Sequence, residues 1–402
     1  MSRKELILGL LVALALRVGF GARQVEGGKL FGSLDFEILA ANLLDSGVYS
    51  EKPPLPTAVR EPGYPVLIAG LYGAAGRSPW SVILGQSLLS AATVWLVYLL
   101  AAAVFDAWAG RFAFWACVFY PYFIYYSAYF FRETLLAFLV AAVFLLLVRD
   151  GRLSSLAGAG GLAGWMCLTN GALSPAVALA GVAAGWGKPW RWKRFWVFCL
   201  PVAFLVGVWV TRNLVVMRAF IPASSLVGIQ MYWALTVPYE ALGTEEQNRI
   251  LGNPGEDTEF QRLQALPEAQ SNKAFQAEAM KILKQHPWAF VRDCAGRFFG
   301  VWRIVPRDRA YTHKASLVRL TALLSDGWLI PLALLGLWRG RSILWVRWMA
   351  GFILIVTATY SISHAPIRYR VPVMPLVLVL AAGGAGRLKA MLRKSEKAKG
   401  MP

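Results

Sequence analysis

Residues 31–42 read "FGSLDFEILAAN" and place two carboxylates, Asp35 and Glu37, just beyond the first long apolar run. A third acid, Glu133, heads another apolar run in "FFRETLL". Arg60, Arg132, Arg212, Arg368 and Arg370 fall near the ends of apolar runs, with His364 in "SHAPIRYR". A carboxylate within reach of a hydroxyl can take its proton. Arginines at a bilayer surface can hold a phosphate through paired N–H donors. Plain structural roles compete with each reading. Asp35 stands near the start of a helical run and can cap it. A lone arginine at a span end can snorkel to the headgroups. His364, followed by Ala365 and Pro366, suits a hydrogen-bonded loop. A divalent metal would use both Asp35 and Glu37 as hard oxygen ligands. If 35–44 is helical, the two point about 200° apart, which argues against one shared ion. Spacing alone leaves cap, base and metal ligand open.

The elements that must position these groups are membrane helices. The chain has 402 residues, 57% of them hydrophobic and 16% charged, against about 25% charged in soluble domains. Mean hydropathy is +0.51. The 17 tryptophans suit interfacial belts. A net charge of +19 fits positive-inside loops better than a nucleic-acid partner. The four cysteines, Cys117, Cys167, Cys199 and Cys294, show neither metal spacing nor a disulfide framework. Arg17 interrupts the first apolar run and no small-residue cleavage site follows, so this run reads as a retained helix.

About ten spans are expected, near 5–22, 79–105, 112–130, 133–148, 154–169, 172–187, 195–211, 318–338, 342–360 and 371–386. Placing the N-terminus in the cytoplasm puts every short basic segment inside, "KPWRWKR" and the C-terminal tail included. Two large segments then lie outside, 23–78 and 212–317. The chain divides into an N-terminal membrane core, 1–211, an outer segment, 212–317, and C-terminal spans with a basic tail, 318–402. Residues 287–302 interleave aromatic and basic side chains, the pattern of a helix lying on the membrane surface.

The order of "LDFEILAANLLDSGVYS", "REPGYPVLIAGLYGAAG", "FRETLLAFLVAAVFLLL", "LTNGALSP", "RNLVVMRAFIPASS", "HPWAFV" and "RYRVPVMPLVLVLAA" resembles the bacterial membrane glycosyltransferases of the protein-mannosyltransferase and aminoarabinose-transferase type, within the GT-C fold. The resemblance runs from about 10 to 385. It implies an all-α polytopic bundle whose donor is a sugar on a polyprenyl (undecaprenyl) phosphate. The acceptor it implies is a lipid, glycan or protein at the periplasmic face of a bacterial inner membrane. Asp35 matches the catalytic first-loop acid. Glu37 departs from the pattern, because the mannosyltransferase type shows adjacent Asp-Glu and here Phe36 intervenes. Glu133 matches an acid opening the fourth span. Arg60, Tyr64 and Pro65 match the element that closes the first loop. Arg212 and Asn213 match an Arg-Asn pair, and Arg368 and Tyr369 match the Arg-Tyr element before the last span. Asn170 stands where relatives carry Arg. The charge that develops on a departing lipid phosphate assigns the donor phosphate to Arg60, Arg132, Arg368 and Arg370, and this reading allows a divalent metal without requiring one. The rivals are a flippase or transporter of lipid-linked glycans, expected to carry ionisable groups at mid-bilayer, and a non-catalytic subunit that kept the fold.

Overall fold

The computed structural model describes residues 1–27, 34–149, 152–238, 241, 245–252, 258–305, 315–363 and 366–399. Their regular structure is helical apart from one isolated bridge, Lys52 to Leu55. In chain order the helices are α1 (Arg3–Glu26), α2 (Leu34–Ser46), α3 (Gly63–Ala75), α4 (Pro79–Val104), α5 (Ala107–Val118), α6 (Pro121–Tyr126), α7 (Glu133–Arg149), α8 (Leu153–Thr169) and α9 (Ser174–Gly185). They continue with α10 (Arg191–Met217), α11 (Val227–Thr236), α12 (Glu245–Leu251), α13 (Glu259–Gln264), α14 (Glu268–Gln285), α15 (Pro287–Val301), α16 (Ala315–Arg339), α17 (Leu344–Ser361) and α18 (Met374–Lys399). Short 3₁₀ turns at Gly171–Leu173 and Ile367–Val373 lead into α9 and α18.

Six helical stretches among the described residues are long and apolar enough to cross a membrane: α1, α4, α10, α16, α17 and Ile367–Leu392, the 3₁₀ turn with the start of α18. α7 and α8 are 17 residues each, about 25 Å of helix at 1.5 Å per residue. The expected span at 112–130 is broken: α5 stops at Val118, and α6 starts at Pro121. Proline has no N–H, so the Cys117 carbonyl loses its regular helical donor four residues on. Arg17 of α1 fills the gap. Its Nη2 donates to Cys117 O at 3.3 Å, its Nη1 to Val118 O at 3.2 Å, and its Nε to Ser90 Oγ at 2.6 Å. A charge that interrupts an apolar run is thereby satisfied wholly by protein, as a low-dielectric interior demands.

α18 lies against α16, α5 and α4, and the buried core is continuous across α4, α5, α7 and α18. α7 links the two ends of the bundle. Glu133 opens it beside the polar cavity described below, and Leu146 and Leu147 near its other end line a small recess with Arg152, Lys188, Arg194 and Trp345. Arg152, Lys188 and Arg194 thus lie at the end of α7 opposite the cavity. Exposed Trp190, Trp192 and Trp196 stand beside them.

Ile229, Val237, Phe260 and Phe275 of α11, α13, α14 and the turn after α11 form a separate small core. α15 exposes Trp288, Val291 and Phe299. Its opposite side buries Arg297, which donates to the Ala234 carbonyl at the end of α11.

Candidate active site

The stretch between α2 and α3 brings its charged residues to the bundle through "REPGYP". Pro62 and Pro65 suit the opening of α3, where backbone N–H groups have no helical partner in any case. Gly63 between them is required by contact. A Cβ there would lie 2.4 Å from Thr169 Oγ1 and 2.7 Å from the Thr169 nitrogen, and the Gly63 carbonyl accepts from Trp165 Nε1 at 2.9 Å. α3 is thus seated directly on the end of α8. Gly63→Ala should destabilise the protein by about 1–3 kcal/mol through overpacking, read as a lowered thermal unfolding midpoint in detergent; an unchanged midpoint would mean that α3 can shift freely.

That seat sets Glu61. Its Oε2 accepts from Arg132 Nη1 at 2.8 Å and its Oε1 from Gly171 N at 3.1 Å. Arg132 also donates to the Thr169 carbonyl at 3.0 Å. Burial disfavours the Arg132 charge most strongly of any single cause, but Glu61, Tyr360, Tyr369 and Glu133 together more than offset it and the net pKa shift is upward. Next along, Arg368 Nε lies 3.7 Å from Glu133 Oε1, and its guanidinium stacks over Phe131 and Tyr369 at 5.2 and 5.3 Å. Tyr369 stacks on Tyr360 with centroids 4.4 Å apart, and Tyr360 Oη accepts from Asn170 Nδ2 at 2.6 Å. Glu133 is 3% exposed, and its Oε2 has no hydrogen-bond partner among the described residues.

These groups enclose a cavity of about 310 Å³ lined by Phe36, Arg60, Phe131, Arg132, Glu133, Gln230, Arg368 and Tyr369. Asp35 adjoins it through Arg60, whose Nη2 and Nε reach Asp35 Oδ2 at 2.6 and 3.2 Å. A larger groove of about 680 Å³ lies between α5 and α16, but aromatic and aliphatic side chains make up most of its wall. The polar cavity, with three arginines and Glu133 in its wall, has the means for chemistry.

Of the residues singled out in the sequence, Arg60, Arg132, Glu133, Arg368 and Tyr369 line this cavity, with Asp35 at its edge. The others lie elsewhere. Glu37 is on the same helix, α2, and accepts from Tyr72 Oη at 3.0 Å. Tyr64 is buried under Phe36 and donates to Gln86 Oε1 at 3.1 Å. Arg212 ties down the stretch between α2 and α3 through the carbonyls of Thr57 and Tyr49, at 2.7 and 3.1 Å. Asn213 donates to the Ile221 carbonyl at 2.8 Å. Arg370 turns into the bundle and pairs with Asp326, both fully buried in side chain, and donates to the carbonyls of Val301 and Arg303. His364 lies outside the described residues. Among the described residues no group of three His, Cys, Asp or Glu could hold a metal.

Glu61, Gln230 and Asp326 were not anticipated. The signal for Glu61 was its place between Arg60 and Pro62 in "REPGYP"; the other two carried none.

The fold is a helical membrane bundle with a polar cavity at one end, lined in part by Phe36 and Arg60 from before α3 and by Gln230 of α11. Within it, residues 54–211 match the family described as dolichyl-phosphate-mannose-protein mannosyltransferase. The apo oligosaccharyltransferase of Archaeoglobus fulgidus superposes with a TM-score of 0.56 at 16% identity, over 98% of this chain and 52% of that one. The same enzyme tethered to an acceptor peptide containing the NVT sequon gives 0.52 at 14% identity, over 97% and 50%. ArnT from Cupriavidus metallidurans bound to undecaprenyl phosphate gives 0.38 at 15% identity, over 96% and 77%. The chain spans about half the length of the archaeal enzymes it overlays. No curated protein matches its sequence significantly.

Proposed function

We propose that this protein is a membrane glycosyltransferase that moves a sugar from a polyprenyl-phosphate donor to a lipid, glycan or protein hydroxyl at the outer face of a bacterial inner membrane. The observation that carries this reading is the convergence of three arginines and one acid on a single cavity, with a second acid at its edge. The match to a family named for a lipid-phosphate sugar supports the donor class.

Arg132 and Arg368 hold the donor phosphate, with Arg60 at the mouth, and stabilise the charge that grows on it as the sugar leaves. The acceptor oxygen bonds to the anomeric carbon. The bond from that carbon to the phosphate oxygen breaks with its electron pair, and the acceptor proton passes to Asp35. One base and direct displacement imply inversion at the anomeric carbon. Glu133 keeps Arg368 oriented, and Glu61 does the same for Arg132.

The transporter reading fares worse on the ionisable groups inside the helices. Arg17, Asp326 and Arg370 are at most 1% exposed and are bonded by protein groups, whereas a translocation path needs such groups to face a water-filled route.

Arg368→Ala should raise the apparent KM for a polyprenyl-phosphate hexose by about 10- to 100-fold, since hydrogen bonds to charged groups contribute about 1.5–3 kcal/mol. An unchanged KM would remove Arg368 from the phosphate site.

A further inference from the structure

Among the described residues of 212–317, Gln230 of α11 lines the cavity. Its backbone N–H is bonded within the helix to the Leu226 carbonyl at 2.9 Å. Its side-chain amide has no hydrogen-bond partner among the described residues.

α11 is held firmly. Gly228 N donates to Asn272 Oδ1 of α14 at 2.8 Å, and a Cβ on Gly228 would lie 2.2 Å from the Asn272 carbonyl oxygen. α14 is in turn anchored to the stretch between α2 and α3 by Glu268. That carboxylate accepts from Thr57 Oγ1 at 2.5 Å, Ala58 N at 2.8 Å and Ser225 Oγ at 2.6 Å. Two backbone-level attachments therefore fix the position of Gln230 relative to Arg60 and Arg132.

The arginines of the cavity recognise charge and serve any sugar phosphate equally. A primary amide both donates and accepts, which matches a sugar hydroxyl. A ligand that lacks the matching hydroxyl leaves the amide unpaired in a confined site and is rejected accordingly. The cavity volume, about 310 Å³, stands at the lower end of ligand pockets. It suits one sugar unit with its phosphate rather than a preassembled oligosaccharide.

We infer that Gln230 hydrogen-bonds a hydroxyl of a single transferred sugar and sets which sugar is accepted, an inference that rests on the transferase reading above. The test uses the full chain in nanodiscs with polyprenyl-phosphate mannose, glucose and galactose, followed by the 2-, 3-, 4- and 6-deoxy forms of the donor used best. In the wild type, kcat/KM falls about tenfold or more for one deoxy donor. In Gln230→Leu that penalty shrinks to less than about twofold at the same position. Sugar-free polyprenyl phosphate inhibits both forms equally, which shows that the variant is folded. A Gln230→Leu enzyme that keeps the full wild-type deoxy pattern overturns the assignment while leaving the transferase intact. A wild type that transfers none of the three sugars overturns the transferase reading, and the role of Gln230 falls with it.

Discussion

Asp35→Asn is expected to lower sugar transfer by about 10²- to 10⁴-fold, the range that positioned general bases supply. The substitution keeps the shape of the side chain, and the amide oxygen can still accept from Arg60 Nη2, which reaches Asp35 Oδ2 at 2.6 Å. The stretch between α2 and α3 keeps its other ties, from Arg212 to the Tyr49 and Thr57 carbonyls and from Glu268 to Thr57 and Ala58. Folding and donor KM should therefore change little while kcat collapses. Transfer at the wild-type rate would eliminate Asp35 as the base and turn attention to Glu133, whose Oε2 lies buried without a hydrogen bond among the described residues.

The largest effect on stability is expected at Arg370. Replacing it with Leu leaves the Asp326 carboxylate buried without its counter-ion, and strands the carbonyls of Val301 and Arg303. Breaking one side of a buried pair costs about 3–5 kcal/mol. Among the described residues Asp326 retains the hydroxyl of Tyr120, which donates to its Oδ1 at 2.9 Å. The double variant Asp326→Leu/Arg370→Leu should recover more than half of the loss, because apolar replacement of both partners is often neutral. Thermal unfolding of the purified protein in detergent measures both. A double variant as unstable as the sum of its single variants would show that the carbonyl contacts, not the ion pair, carry the stability.

Much of the fold was legible in the hydropathy of the chain. α7 at Glu133–Arg149 and α4 at Pro79–Val104 fall within a residue of their expected bounds, because charge or proline closes each apolar run. The break at Pro121 was missed because the residues around it remain apolar, so hydropathy carries through a point where the backbone cannot.

The site was legible in part, and its misses have geometric causes. Arg368 and Arg370 flank Tyr369 and read as a pair. They stand in a 3₁₀ turn, where positions two apart point about 240° apart around the axis. One therefore meets the cavity and the other the bundle interior. Glu37 and Asp35 separate for the same kind of reason on α2, about 200° apart, as a helix there predicts. Asp326 sits in an apolar run with nothing to mark it, and its partner is 44 residues away. Gln230 reaches the cavity only through packing of α11 on α14, a contact no local pattern encodes.

The central claim is that the cavity cleaves a sugar from a polyprenyl phosphate, and its most direct test is the fate of the donor. Purified protein in liposomes is given a polyprenyl-phosphate hexose and an extract of envelope lipids and proteins as acceptors, and the lipids are followed by mass spectrometry. The account predicts conversion to free polyprenyl phosphate, matched by a gain of one hexose on an acceptor and lost in Asp35→Asn. Movement of the intact donor across the bilayer with no polyprenyl phosphate released would contradict it.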